Sequence, residues 1–449
     1  MTYVQNTAQD QADMLAAIGM KSTDELWETI PRPCRFEGDL DVGPALTEDV
    51  LVRHMREIAK RNVAPDDHTS FLGAGTYRHF CPALVDNLVM RTEFWTAYTP
   101  YQPEASQGTL TTIYEFQSLI CRITGMEVAN ASVYDGATAV IEGVMLALRA
   151  KRKADKVIAS RGLHPDTIAV LDTYLRHLDV ELILVDLVDG ATPSDAVAAA
   201  AESGVAAVAF QNPNFHGVVE DVQSLCDAAH DLDGLAVVSV DPISLSVLEA
   251  PGEQGADVVC GEGTPMGNEP WYGGPGFGFM ASRMSTVRQM PARIAGETTD
   301  ADGKRAVVLT FQTREQHIRR TKATSNICTS QQLMALRATI WAALLGKTGF
   351  EKLGRTNLSR AHYAADKIAA LPGWSLTYPE RGFFKEFCVT APVTAAEVNR
   401  RLMGEHGIIG GFDLGRLDNA RSHEWLVAVT DVNSREEIDR LVAALETIK

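Results

Sequence analysis

Residues 257–282, DVVCGEGTPMGNEPWYGGPGFGFMAS, have the pattern of a strand, a loop and a second strand. The apolar run ADVVCG (256–261) is typical of a buried parallel strand, and the loop after it is rich in glycine and proline. The run GGPGFGFM (273–280) leads into a strand-like run rather than a helix, which favours close backbone packing over a nucleotide-binding loop. The stretch contains no lysine, and the chain has none between Lys156 and Lys304.

Four further runs upstream have the same Val-rich and Ile-rich character. They are KVIAS (156–160), ELILVD (181–186), VAAVAFQ (205–211) and LAVVSVD (235–241). Helical patterns separate these runs, including one that ends at Gly125 and one that starts after Asp135. The alternation predicts an α/β fold with a mainly parallel, doubly wound sheet.

The two ends of the chain differ from this central region. Two short helices within 12–31 and an amphipathic helix within 46–62 predict an N-terminal helical arm over residues 1–90. A large α/β domain is expected over 91–330. A long helical pattern followed by three strand-like runs, GWSLTY, EFCVTA and EWLVAVT, predicts a smaller C-terminal α+β domain over 331–449.

Composition limits the function classes. The 449 residues are 45% apolar and 22% charged, and the net charge of −17 argues against nucleic acid and anionic membranes as partners. Seven scattered cysteines without a CxxC pair argue against a zinc or redox site and predict reduced, mostly structural thiols; we expect no metal. Neither a secretory leader nor an apolar run of ~18 residues is present, so a cytoplasmic location is expected.

Three features occur in the order used by pyridoxal-phosphate enzymes of the aspartate-aminotransferase fold. Asp135, Gly136 and Thr138 lie at a helix start that could hold a phosphate, although an ordinary capped helix has the same pattern. Asp241 ends a strand, where that fold pairs an aspartate with the pyridine nitrogen. The Schiff-base lysine should then lie near Thr264, and a threonine cannot form an imine.

Two other stretches are dense in polar and aromatic groups. The Pro-broken loop TEFWTAYTPYQPEASQGTL (92–110) has the character of a binding loop. The segment TFQTREQHIRRTKATSNICTS (310–330) is locally basic in an acidic protein, and it could either recognise a carboxylate or phosphate or form a surface helix that balances nearby acidic residues. Its candidate residues are Arg314, His317, Arg319, Arg320, Lys322, Thr324 and Asn326.

Long motifs from about residue 70 to 330 resemble one family, the N-terminal subunit of the two-subunit glycine decarboxylase, which is the P-protein of the glycine cleavage system. The motifs are GAGTYRHFCP, TAYTPYQPEASQGTL, EFQSLICRITGMEVANASVYDGATA, QNPNFHGVVED, GADVVCGEGTPMG, YGGPGFGFMA and LTFQTREQHIRRTKATSNICT. The resemblance implies an aspartate-aminotransferase-like fold, known as fold type I of the pyridoxal-phosphate enzymes. It also implies a partner subunit that holds pyridoxal phosphate covalently on its own lysine, which this chain lacks.

The resemblance further implies a shared reaction. With its partner, the chain would decarboxylate glycine and transfer the aminomethyl group to the lipoyl group of the H-protein, and it would be inactive alone. Residues expected to line the shared cleft are Tyr98, Tyr101, Ser106, Gln107 and Thr109. Asp135, Gly136, Thr138 and Asp241 would form a vestigial cofactor pocket, and the basic segment would belong to the cleft or to the subunit interface.

Two alternatives compete with this interpretation. One is a self-sufficient pyridoxal-phosphate enzyme that uses an unexpected lysine such as Lys322. The other is a purely structural subunit that stabilises its partner and contributes no group to the active site. Substitutions in the loop at 92–110, called the tyrosine loop below, would distinguish a shared cleft from the structural subunit. Only a shared cleft predicts loss of activity without loss of assembly.

Overall fold

A computed structural model describes residues 5–36, 38–95, 98–328 and 330–448. Two compact units are present, one up to Val63 and one from Ala64 onward. The first contains helices α1 (Ala8–Ala17) and α2 (Glu48–Ala59). The second of the two short helices predicted within 12–31 is only a 3-10 turn at Thr23–Trp27, whereas the amphipathic helix predicted within 46–62 is present as α2.

The second unit alternates helices and strands. Its first elements are β1 (Thr69–Ser70), α3 (Ala83–Val89), α4 (Gln107–Thr124), β2 (Val128–Ala129), α5 (Gly136–Ala150), β3 (Lys156–Ser160), α6 (Pro165–Leu175), β4 (Glu181–Val185), α7 (Ser194–Ala199), β5 (Val205–Asn212), α8 (Val222–Asp231), β6 (Leu235–Val240), β7 (Val258–Glu262) and β8 (Gly278–Ser282). The later elements are β9 (Ile294–Thr299), β10 (Arg305–Thr310), α9 (Gln316–Arg319), α10 (Gln332–Ala369), β11 (Ser375–Leu376), β12 (Glu386–Thr390), α11 (Ala395–His406), β13 (Ile408–Ile409), β14 (Phe412–Asp413), β15 (Glu424–Ala428) and α12 (Arg435–Glu446). No helix in the described part of the chain is long and apolar enough to cross a bilayer.

The large sheet has the order β2-β8-β7-β6-β5-β3-β4 among the described residues. The strands β3 to β7 run parallel to one another, and they coincide with the five predicted apolar runs. The strand β8 pairs antiparallel with β7, and β2 pairs antiparallel with β8. The predicted α/β class and mainly parallel sheet are therefore confirmed.

Alternate residues of each central strand enter different cores. In β6, Ala236 and Val238 face a core built with α4, α8 and the first half of α10, whereas Val237 faces a core built with α5 and α6. Val259 and Val258 of β7 divide in the same way. Because side chains alternate along a strand, a continuous apolar run is needed when both faces of a sheet are covered.

A second sheet, of order β11-β12-β15-β14, packs against α11, α12 and the second half of α10. The helix α10 spans both cores and is kinked at Gly346, where φ is 57° and ψ is −176°. Phe71, which belongs to the predicted arm, is fully buried in the core of this second sheet. The three-part division at residues 90 and 330 remains a prediction.

One element pair was not predicted from the sequence. The strands β9 and β10 form an antiparallel hairpin in which Ile294 pairs with Thr310 and Thr299 with Arg305. The second half of β9 is exposed, so its sequence lacks the continuous apolar run that marks the central strands.

Candidate functional site

A cleft of about 580 Å³ lies at the carboxyl ends of the parallel strands. Its wall includes Asp241 just after β6 and Glu262 at the end of β7, together with the start of α5. Tyr77 from the loop after β1 and Lys385, just before β12, also belong to the polar lining. Open parallel sheets place ligand groups at this edge, which makes the cleft the candidate site.

The start of α5 is held by two carboxylates. Asp135 caps the helix, since its Oδ1 accepts the amide of Thr138 at 2.7 Å. The amide of Gly136 donates to Oε2 of Glu262 at 2.9 Å. The predicted phosphate position at this helix start is therefore in contact with a carboxylate of the chain itself.

Glu262 is fixed from its other side as well. Its Oε1 accepts the amides of Thr264 at 3.1 Å and Phe277 at 3.3 Å, and it also accepts the hydroxyl of Thr264. Burial raises the pKa of Glu262, while these hydrogen bonds oppose the rise. Thr264 thus lies on the cleft wall where a lysine was expected, and its hydroxyl is bonded to a neighbouring carboxylate.

Asp241 is paired with a lysine from the second sheet. Its Oδ2 lies 2.8 Å from Nζ of Lys385, and its Oδ1 accepts the amide of Ile243 at 3.1 Å. The side chain of Lys385 is 2% exposed, and its ammonium lies 3.9 Å from the centroid of the Tyr77 ring. Burial lowers the pKa of Lys385, while Asp241 raises it.

His79 extends this arrangement to a second carboxylate. Its Nε2 lies 2.9 Å from Nζ of Lys385, and its Nδ1 lies 2.5 Å from Oδ1 of Asp431. Because an ammonium can only donate, Nε2 of His79 accepts and its Nδ1–H donates to Asp431. Burial, followed by the charge of Lys385, lowers the pKa of His79, which agrees with a neutral ring.

Glu386, the neighbour of Lys385, is buried on the cleft wall, with an exposure of 4%. Its Oε2 accepts the hydroxyl of Tyr77 at 2.6 Å, and its Oε1 accepts the amide of Ala74 at 2.7 Å. Burial raises the pKa of Glu386 to about 7. Tyr77 therefore links Glu386 to Lys385 and Asp241 in one network that joins the loop after β1, the large sheet and β12, while Glu262 forms a separate group with the start of α5.

The glycines of the β7–β8 frame permit close packing, as predicted. A Cβ at Gly261 would lie 2.2 Å from the carbonyl oxygen of Val240, and one at Gly278 would lie 2.1 Å from that of Asp135. Real side chains do not approach so closely. The glycines therefore bring β8 against the start of α5 and leave the lysine-free loop at the cleft.

The tyrosine loop lies elsewhere. Tyr98 is 82% exposed, and the hydroxyl of Tyr101 accepts from Nη2 of Arg293 at 3.3 Å. Ser106 is the N-cap residue of α4, and the side chain of Gln107 makes two 2.9 Å hydrogen bonds to the backbone of β10. Thr109 is partly buried in the first turn of α4. Among the described residues that line the cleft, none comes from this loop.

The basic segment contacts the tyrosine loop rather than the cleft at Asp241. His317 packs edge-on against Tyr101 with ring centroids 5.5 Å apart. Arg314 is buried and donates to the carbonyls of Phe311 and Ala292, and burial lowers its pKa to about 10. The remaining predicted residues either bond to the segment's own backbone or are exposed: Arg319, Arg320, Lys322, Thr324 and Asn326.

Most of the cleft's charged network was not predicted from the sequence. Sequence patterns did not indicate Tyr77, His79, Glu262 or the pair at 385–386, because these residues come from segments far apart in the chain. One signal was available: the run FFKEFCVT (383–390) places two charges within an otherwise apolar strand. Charges at such positions are rarely buried without a partner.

Comparison with known proteins identifies the family of the chain. Residues 1–445 match the family model described as "Glycine cleavage system P-protein". The chain is 46% identical over 449 residues, the full length of both chains, to a Desulfitobacterium hafniense protein named "Probable glycine dehydrogenase (decarboxylating) subunit 1". It is 37% identical, over all of both chains and with a TM-score of 0.85, to a solved glycine decarboxylase (P-protein) of the glycine cleavage system in inhibitor-bound form.

A more distant structure agrees in fold alone. An alanine–glyoxylate aminotransferase from Nostoc sp. superposes with a TM-score of 0.58 at 16% identity, over 85% of this chain and 94% of that one. The aminotransferase-like class of fold type I is therefore confirmed. With a match that spans almost its entire length, the chain belongs to the glycine cleavage system P-protein family.

Proposed function

We propose that this chain is the subunit of a two-subunit glycine decarboxylase that does not anchor the cofactor. With a lysine-bearing partner subunit it decarboxylates glycine and passes the aminomethyl group to the lipoyl group of an H-protein. The partner holds pyridoxal phosphate covalently, and that cofactor supplies the electron sink for decarboxylation. The assembled enzyme acts in the cytoplasm, and this chain alone is inactive.

The observation that carries the proposal is Thr264. The strand–loop–strand frame is preserved, yet the position expected for lysine holds a threonine whose hydroxyl and amide are bonded to Glu262. A hydroxyl cannot replace the amine in imine formation. The division of roles between two chains is supported by the relative named as subunit 1 of a glycine dehydrogenase.

The contribution of this chain to the shared cleft is assigned to the tyrosine loop. Tyr98 and Tyr101 are 82% and 47% exposed, and exposed tyrosines are well suited to contact a substrate or a partner chain. The guanidinium carbon of Arg293 lies 5.6 Å from the centroid of the Tyr101 ring, and Nε of Arg293 lies 3.8 Å from Oε2 of Glu315. Arg293 donates to the Tyr101 hydroxyl at 3.3 Å and so orients the ring, and the proton of that hydroxyl and the exposed Tyr98 are assigned to contact glycine bound in the partner.

A cofactor-localisation experiment tests the proposal. The two subunits are co-expressed, treated with borohydride to fix any imine, separated and analysed by mass spectrometry. The pyridoxyl group should appear on the partner, and glycine decarboxylation with lipoylated H-protein should require both chains. A pyridoxyl group on this chain, at Lys322 or any other lysine, would instead support the self-sufficient enzyme.

A further inference from the structure

The pocket around Asp241 has the two polar ends that a fold type I cofactor site needs, but neither end is available. Glu262 is bonded at the helix start and Lys385 is bonded to Asp241. We infer that the pocket is closed to pyridoxal phosphate because two internal side chains occupy the places of the cofactor's charges. Glu262 takes the place of the phosphate, and Lys385 takes the place of the pyridinium.

At the phosphate end, the carboxylate already has the partners that an anion would use. Glu262 accepts the amides of Gly136, Thr264 and Phe277. A helix start favours one negative group, and Asp135 adds a second carboxylate by capping the same helix. A phosphate at this point would have to displace Glu262, and it would then lie beside two carboxylates that repel it.

At the end of the pocket where the pyridine ring would lie, the ammonium of Lys385 is already paired with Asp241. Asp241 can stabilise a pyridinium only if Lys385 leaves it, yet Lys385 is also held by His79 at 2.9 Å and by the face of Tyr77. An ammonium that stayed in the pocket would repel a pyridinium at close range. The same aspartate cannot serve both cations.

The remaining cleft does not compensate for these two losses. Its lining includes the carboxylates of Asp135, Asp166, Asp241, Glu262 and Glu386, while the buried Lys385 is already paired. A dianionic ligand therefore gains little from the rest of the wall. The inference concerns this chain's own pocket and does not depend on the reaction proposed above.

The test uses pyridoxine 5′-phosphate, which has the ring and phosphate of the cofactor but no aldehyde, so imines with surface lysines cannot contribute. Equilibrium dialysis of the full chain should give no saturable binding up to about 1 mM. The variant Glu262→Ala with Lys385→Met frees both ends and should bind one equivalent with a Kd of about 0.1 mM or lower, at least tenfold below that limit. Two exposed groups provide the matched control, Glu202→Ala with Lys347→Met, which should behave like the unmodified chain.

Stoichiometric binding by the unmodified chain would overturn the inference, and so would a folded double variant that binds no better than the control. If the double variant does not fold, Glu262→Ala is measured alone with inorganic phosphate, and the unmodified chain still decides the question. Pyridoxal phosphate fixed by borohydride to Lys385 would also overturn it. These outcomes are separate from the decarboxylation assay, because they need neither the partner subunit nor glycine.

Discussion

At the residue scale, the pair formed by Asp241 and Lys385 is the most consequential contact of the cleft. Both side chains are nearly buried, at 12% and 2% exposure, and their charged atoms lie 2.8 Å apart. A buried pair contributes little net stability compared with apolar residues, because both charges lose their hydration. Removal of one partner is costly because the other charge is left unpaired.

Substitution of Lys385 by methionine should therefore lower the free energy of unfolding by about 3–5 kcal/mol. The double variant Lys385→Met with Asp241→Asn should be less destabilised than the sum of the two single variants. The difference, which is the coupling free energy of the pair, should be about 1–3 kcal/mol. Urea denaturation of the four proteins measures this coupling. Strict additivity would show that the two charges do not interact, and Lys347→Met serves as the exposed control.

Glu386 should make stability depend on pH. Its pKa rises from an ordinary 4.5 to about 7 in the folded chain, so the folded state favours the protonated form. A raised pKa contributes stability that is fully present below about pH 4.5 and is lost as the pH rises through about 7.

The comparison is with Glu386→Gln, which can keep the hydrogen bond from the Ala74 amide but cannot titrate. Between about pH 5 and about pH 8, the unmodified chain should lose about 2–3 kcal/mol of unfolding free energy relative to this variant. Urea denaturation of both proteins at the two pH values gives the difference in their free energies of unfolding. An unchanged difference would mean that Glu386 titrates normally in the folded chain.

The sequence predicted individual site residues unevenly. Asp135, Gly136 and Asp241 lie on the cleft because they are fixed by a helix start and a strand end, which are local features. Lys385 and His79 reach Asp241 only through the packing of the second sheet and the loop after β1. Contacts of that kind depend on tertiary arrangement, which periodicity does not encode.

At the scale of elements, the five central strands were predictable because both of their faces are covered. The β9–β10 hairpin was not, since Glu297 to Thr299 are exposed and the Asp302-Gly303 pair lies within a five-residue loop (300–304) rather than forming a two-residue turn. The helix α10 was predicted as one mostly helical stretch, but the structure places a kink at Gly346. The part of α10 that packs on the large core continues past this kink to Leu358, and the part in the second core begins at Ala361.

Two glycine substitutions should have opposite effects on stability. Gly346 has φ of 57° and ψ of −176°, a region open essentially only to glycine, so Gly346→Ala should destabilise the chain by about 1–3 kcal/mol. Gly404 lies in the interior of α11 with open space around its Cα, so Gly404→Ala should stabilise by about 0.5–1 kcal/mol. Thermal melts of both variants measure the effects, and a neutral Gly346→Ala would argue against the kink.

At the scale of the whole molecule, the proposed shared cleft predicts that the tyrosine loop matters only in the assembled enzyme. Tyr98→Phe and Tyr101→Phe should each lower turnover of the reconstituted two-subunit enzyme about tenfold, the effect of one lost hydrogen bond to a charged group. Glycine decarboxylation measures turnover, and co-purification measures assembly, which should not change.

The exposed Tyr174 on α6 provides the matched control, and Tyr174→Phe should leave both readouts unchanged. Unchanged turnover for both loop variants would remove the tyrosines from the site and favour a purely structural subunit. Lost co-purification would assign the loop to assembly instead.

Proteins that bind a cofactor tightly gain stability from it by mass action, so their persistence in a cell follows the supply of the vitamin from which the cofactor is made. In this chain, Lys385 neutralises the charge of Asp241, and Glu262 accepts the free amide at the start of α5. Both groups that a cofactor would otherwise satisfy are therefore satisfied from within the chain. The fraction of this chain that is folded should therefore not depend on the supply of the vitamin. Vitamin starvation should leave this chain intact while its proposed partner becomes the one that proteases remove.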